Sequence, residues 1–243
     1  KLTHEVDGEF HITSDPPFVV PLDELAAHEG IEIDPEEQRA WLHDKFRGYR
    51  QSLAPDIRQL VESYRIVDFA RKVVGVGSVG TRCWIALLLG KDNDDPLFIQ
   101  VKQAGQSVLE PYAGQGEHAS HGQRVVDGQR LLQGASDILL GWVQTAGIDG
   151  VERDYYFRQL WDWKLSPDLE TMPPENMKVF AQMCGWTLAR GHARSGDRVA
   201  IAAYLGSGRV FDESVADFSA AYADQNERDY EAVTASLRTA PGS

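Results

Sequence analysis

Gly75, Gly77 and Gly80 fall in G-x-G-x-x-G spacing within VVGVGSVGTR, and further on Lys102 closes the apolar run PLFIQVK. Glycines so spaced let backbone N–H groups approach a phosphate, because no Cβ stands in the way. A lysine supplies a compact positive charge for the same group. Two common phosphate devices do not fit. A dinucleotide fingerprint opens a helix directly after its glycines, whereas TRCWIALLLG has the composition of a strand. A Walker loop ends in Gly-Lys-Ser/Thr, and no such ending follows here. Ser78 stands two residues before Gly80, as in a nucleophile elbow, but that device turns from strand into helix.

The strand–glycine loop–strand order fits another device. Protein kinases fold a glycine-tipped hairpin over the nucleotide, and the next strand carries a lysine for the α- and β-phosphates. Lys102 in FIQVKQ resembles the lysine of that V-A-I-K strand, which makes Gly75, Gly77, Ser78, Gly80 and Lys102 the candidate nucleotide contacts. Such a lysine needs an acid on the helix that follows. Glu110, next to Pro111, is expected in a loop, and Asp127 in HGQRVVDGQR sits mid-helix, with Arg124 and Arg130 as competing partners. YYFRQLWDWK is then the strand leading to a hinge, where backbone near Gln159 to Trp161 would meet an adenine. For catalysis, Asp197 in GHARSGD is the candidate acid. Ala202 stands where a following Asn would be expected, and no second metal-binding Asp motif follows. His118 and His121 have H-x-x-H spacing without an evident third ligand, so no metal ligands are assigned.

Elements to position these residues follow from periodicity and turn chemistry. IDPEEQRAWLHDKFRGYRQSL reads as a helix with Asp34 as N-cap and Trp41, Leu42, Lys45, Phe46 and Tyr49 on one face. A second helix spans Pro55 to about Tyr64, burying Ile57, Leu60 and Val61. IVDFARKVVGVG, TRCWIALLLG and PLFIQVKQ are three consecutive antiparallel strands, the latter two joined by the turn GKDNDDP. The stretch around HGQRVVDGQRLLQ is helical, with Val125, Val126, Gln129, Leu132 and Gln133 on one face. GWVQTAG and RDYYFRQLWDWK are two more strands. ENMKVFAQMCGWTLARGHARSG is one long helix ending at Gly196, and a last helix is N-capped by Asp212. This order predicts an α+β fold: an extended lead-in and helical segment over 1–65, an antiparallel sheet lobe with one helix over 66–165, and a helical lobe over 166–243.

Composition narrows the function classes. The 243 residues carry a net charge of −13, which disfavours nucleic acid and anionic membrane as partners and leaves room for a nucleotide held by a local cluster of cations. No apolar run reaches the ~18 residues of a membrane span, and Cys83 and Cys184 read as two buried free thiols, so a cytoplasmic protein is expected. The chain starts at Lys1 without a methionine or signal-peptide pattern, and is expected to be processed or a fragment.

In order, the segments VVGVGSVGTR, FIQVKQA, SVLEPY, HGQRVVDGQRLLQ, YYFRQL, CGWTLARGHARSGD, YLG and FSAAYADQNERDY resemble the uncharacterised bacterial family known as domain of unknown function twenty-two fifty-two, over about residues 1 to 238. The resemblance implies a relation to protein-kinase-like and aminoglycoside-phosphotransferase-like folds. It also implies that this chain is the C-terminal half, and that a missing N-terminal half carries G-D-x-H-x-x-N and Asp-rich segments for catalysis and Mg²⁺. The expected function is ATP-dependent phosphotransfer to a small-molecule or protein acceptor, with Lys102 on phosphate and Asp127 as its partner. The alternative is a kinase-like binding module without catalysis.

Overall fold

The computed structural model describes residues 2–6, 8–28, 35–73, 80–147, 149–160 and 166–239. The chain is an α+β protein with a two-stranded and a six-stranded antiparallel sheet plus helices. Strands β1 (Thr3–Val6) and β2 (Glu9–Ile12) form the small sheet. The large sheet holds β3 (Val19–Pro21), β4 (Arg65–Lys72), β5 (Cys83–Leu89), β6 (Pro96–Ala104), β7 (Gly141–Ala146) and β8 (Glu152–Gln159), in the order β3-β4-β5-β6-β8-β7. Helices α1 (Leu22–His28), α2 (Pro35–Gln51) and α3 (Pro55–Glu62) precede β4, while α4 (Glu110–Ala113) and α5 (His121–Leu132) separate β6 from β7. Helices α6 (Pro174–Ser195), α7 (Arg198–Leu205) and α8 (Val210–Thr239) follow the sheet.

The three consecutive strands expected from sequence are β4, β5 and β6. Every residue of β5 is buried, as an apolar run of strand length without alternation requires when both sheet faces are covered. One face is aromatic. Leu42, Phe46 and Tyr49 of α2 are buried in one cluster with Phe69, Trp84, Tyr155 and Phe157. The Tyr49 ring stacks on Phe157 at 4.2 Å, and Phe46 meets Phe157 edge-on at 5.6 Å. Tyr49 Oη donates to the Leu139 carbonyl at 2.8 Å, which satisfies its polar end inside the core.

The other face is smaller and mixed. Ile12, Val19, Ala70, Ile85, Leu87 and Leu89 form its apolar cluster, with Phe10 and Phe98 packed alongside. Helix α5 lies on this face. Its Gly122 approaches so closely that an added Cβ would meet the Tyr155 carbonyl oxygen at 2.5 Å and Trp142 Cβ at 3.1 Å. Ser120 caps the helix by accepting from the Gln123 N–H at 3.1 Å, a bond worth about 1 kcal/mol.

Several expectations need correcting. The segment before residue 35 is not merely an extended lead-in: it contains β1, β2, β3 and α1, with Ile12, Leu22 and Leu25 buried. Four-residue strands such as THEV carry no apolar alternation to announce them. Leu60 is 46% exposed, because Val61 rather than Leu60 faces the core. Asp212 is the third residue of α8, not its cap, and Cys184 on α6 is exposed while Cys83 in β5 is buried. Asp34 and Trp161 lie outside the described residues.

Residues 1–187 and 188–243 form two compact units. In the second unit, Asp197 is the N-cap of α7 and accepts from Val199 N–H at 2.9 Å and Ala200 N–H at 3.0 Å. Gly206 closes the same helix at φ +65°, and Phe218 stacks on Tyr222 at 5.7 Å.

Candidate functional site

Cross-strand register assembles the site. In an antiparallel sheet, directly opposed residues project to the same face. Cys83 opposes Lys102, Lys102 opposes Tyr156, and Tyr156 opposes Trp142. One step along, Ile85 opposes Gln100, which opposes Arg158. On β4, Arg71 opposes Trp84, so the next residue, Lys72, stands level with Cys83. One row of the face carrying α5 therefore reads Lys72, Cys83, Lys102, Tyr156, with Arg158 beside it.

Lys72 ends β4 and Cys83 begins β5, so this row is the root of the loop that contains Gly75, Gly77 and Ser78. Those three residues lie outside the described residues. Gly80 sits in a turn at φ +82°, a backbone region that glycine enters at little cost.

The groups of the row influence one another electrically. Burial pushes the Cys83 thiol up, and Lys102 and Lys72 act in the opposite direction, as does a hydrogen bond from Gln100. Burial likewise raises the Tyr156 phenol, against the pull of Arg158. Lys72, Lys102 and Arg158 are half-buried. Among the described residues no carboxylate lies within ion-pair distance of any of the three, and the buried Arg158 Nε has no hydrogen-bond partner there. Three such cations on one sheet face, in a chain of net charge −13, form a local positive field suited to an anion.

Asp127 does not meet Lys102. Its carboxylate lies 3.6 Å from His118 Nε2 and 3.9 Å from Arg130 Nη1, because α5 turns that side chain toward its own flanks. Glu110 is in α4 rather than a loop. Its side chain is 9% exposed, 3.9 Å from His121 Nδ1 and 4.0 Å from Arg124 Nε. The Ser107 N–H donates to it at 3.1 Å, and that bond, helped by His121 and Arg124, holds its carboxyl below the usual range. Asp197 Oδ1 accepts both cap bonds of α7. Among the described residues, no group of His, Cys, Asp or Glu is arranged to hold a metal ion. Where the hinge was expected, Gln159 N–H donates to Asp137 Oδ2 at 2.6 Å and Leu160 N–H to the Phe98 carbonyl at 2.9 Å. A separate apolar cavity under the aromatic face, lined in part by Leu42, Phe46, Trp84 and Tyr155, measures 30 Å³, room for about one water.

Residues 1–236 match the family described as "Uncharacterized protein conserved in bacteria (DUF2252)". The chain belongs to this family. DUF2252 membership covers the sheet, α5 and nearly all of α8, so both sheet faces are features of a family member rather than of an appended segment. No curated protein and no solved structure matches the chain. No described helix is long and apolar enough to cross a membrane.

Proposed function

We propose that the face carrying Lys102 binds the phosphates of a nucleotide, ATP, and that the chain is a kinase-like nucleotide-binding module of an ATP-dependent phosphotransferase. The observation that carries this reading is the row of Lys72, Lys102 and Arg158 at the root of the glycine-containing loop, without a carboxylate partner among the described residues. Phosphate oxygens would satisfy these cations, and the backbone N–H groups around Gly75, Gly77, Ser78 and Gly80 would add donors. The order of elements supports it: a glycine-loop hairpin, a lysine on the next strand, then a helix on the lysine's own face, as in a kinase small lobe. On this reading Mg²⁺ arrives with the nucleotide, since the described residues offer it no ligand set. The acceptor is a small molecule or a protein.

A second reading is a kinase-like interaction module without catalysis. It is favoured by Asp197, whose carboxylate caps α7. Isothermal titration of ATP, with and without Mg²⁺, tests the binding that both readings share. The expected outcome is saturable binding that weakens at least tenfold in Lys102→Ala, about 1.4 kcal/mol, with the melting temperature unchanged. No binding by the parent chain overturns the proposal. Transfer of labelled γ-phosphate then separates the two readings.

A further inference from the structure

Helix α8 runs for 30 residues, about 45 Å, and none of its described residues is buried. A helix in water draws most of its stability from packing an apolar face, and α8 has such a face. From Phe211 to Leu237 a stripe of eight residues follows the helix in steps of 4, 3, 4, 4, 4, 3 and 4. Seven of them are aromatic or aliphatic and 45–72% exposed, and the eighth is Asn226. Within the stripe Phe218 stacks on Tyr222 at 5.7 Å. At 3.6 residues per turn, Asp217, Asp224, Glu227 and Glu231 fall on the opposite side of the helix. Asp229 borders the stripe and accepts from Gln225 Nε2 at 2.7 Å. An apolar surface so arranged, polar behind and open in front, marks a place of contact with another chain.

The steps of the stripe read the same from either end. We propose that α8 pairs with α8 of a second copy of this chain, antiparallel about a two-fold axis, to make a homodimer. Turning one helix end for end about Asp224 brings Phe211 level with Leu237, Val215 with Val233, Phe218 with Tyr230 and Tyr222 with Asn226. Every pair then occurs twice, as a self-complementary contact requires. The Asn226 amide comes level with a phenol that can share a hydrogen bond with it, and a single polar residue in an apolar seam fixes register. Charge selects the direction. Asp212 and Glu213 stand in the first turn of α8 and Arg238 in the last, so antiparallel pairing brings the acids of one copy to the arginine of the other and opposes the two helix dipoles. Parallel pairing sets acids against acids. Four aromatic rings in each helix, of ~150–250 Å² apiece and about half exposed or more, carry the pair, with Val215, Val233 and Leu237, past the ~1,000 Å² of a stable interface. The pairing uses no residue of the sheet and stands independently of the nucleotide reading.

The test is sedimentation equilibrium of the whole chain across a range of micromolar concentrations. The expected result for the parent is a monomer–dimer equilibrium. Phe218→Glu alone and Tyr230→Lys alone each raise the dissociation constant at least tenfold. Both substitutions in one chain lower it again at least tenfold, because the introduced carboxylate of each copy meets the introduced ammonium of the other. In a parallel pair each substituted position meets itself, and the double variant stays as weak as the singles. Should these variants fail to fold by circular dichroism, Val215→Glu and Val233→Lys, the next pair outward, replace them. A parent chain that stays monomeric overturns the proposal and leaves the stripe to a different protein. A dimer that the single substitutions do not weaken also overturns it, by placing the interface elsewhere. Loss in the singles without recovery in the double variant overturns the antiparallel arrangement.

Discussion

The two faces of the large sheet solve opposite problems with the same backbone. The aromatic face is apolar: Phe46 and Tyr49 of α2 pack with Trp84 and Phe157 of the sheet, and the polar end of Tyr49 finds the Leu139 carbonyl. The other face keeps charges at half-buried positions, with Lys72, Lys102 and Arg158 around Cys83 and Tyr156. Residues one step apart on β6 and β8 belong to different faces, so Val101 and Phe157 pack in the aromatic cluster while Lys102 and Arg158 project to the charged face. Apolar packing and charge are thereby separated at the spacing of one residue.

That separation can be broken from either side. Phe157→Ala removes a ring that is 2% exposed and in contact with Phe46 and Tyr49, and should cost about 3–5 kcal/mol in a denaturant titration. Lys102→Ala should cost almost nothing in the same titration. Gly122→Ala drives a Cβ into the Tyr155 carbonyl and should cost about 1–3 kcal/mol. Because α5 must shift, it should also weaken ligand binding on the lysine face, which Phe157→Ala does only through unfolding. The smallest effect is at the rim. Asp149 takes Arg82 at 2.7 Å and Arg153 at 2.7 and 2.8 Å. The hydrogen bonds from Arg153, first among the causes, hold its carboxyl down at about 2. A depressed carboxylate stabilises the fold above the ordinary carboxylate range and loses that contribution as pH falls through about 2. Melting temperatures of the parent and Asp149→Asn should differ slightly near neutral pH and converge toward pH 2, and added salt should shrink the neutral-pH gap.

The central strands were legible because TRCWIALLLG and PLFIQVKQ are short, β-branched- and aromatic-rich runs bounded by turn residues, and α2 because Leu42, Phe46 and Tyr49 recur at helical spacing. Lys102 was legible from its strand. Its neighbours were not. Lys72 and Arg158 join the site only through register, which a single sequence does not state, although the alternation of Asp154, Tyr156 and Arg158 against Tyr155 and Phe157 hints at a polar face. Asp127's surroundings were not legible because mid-helix position does not fix rotation: Arg130 on the same helix and His118 just before it take that carboxylate. The capping role of Asp197, read as a candidate catalytic acid, was not legible because α7 begins at the next residue and its eight residues give too short an apolar pattern to announce a helix start.

Every residue of β5 is buried, and from Trp84 to Leu89 it is paired on both sides. Its amides should therefore exchange hydrogen for deuterium among the slowest in the sheet unit, by routes approaching its global unfolding. The strand that leaves the glycine-containing loop is then the most slowly opening part of that unit. Cys83, the first residue of β5, marks where that protection begins.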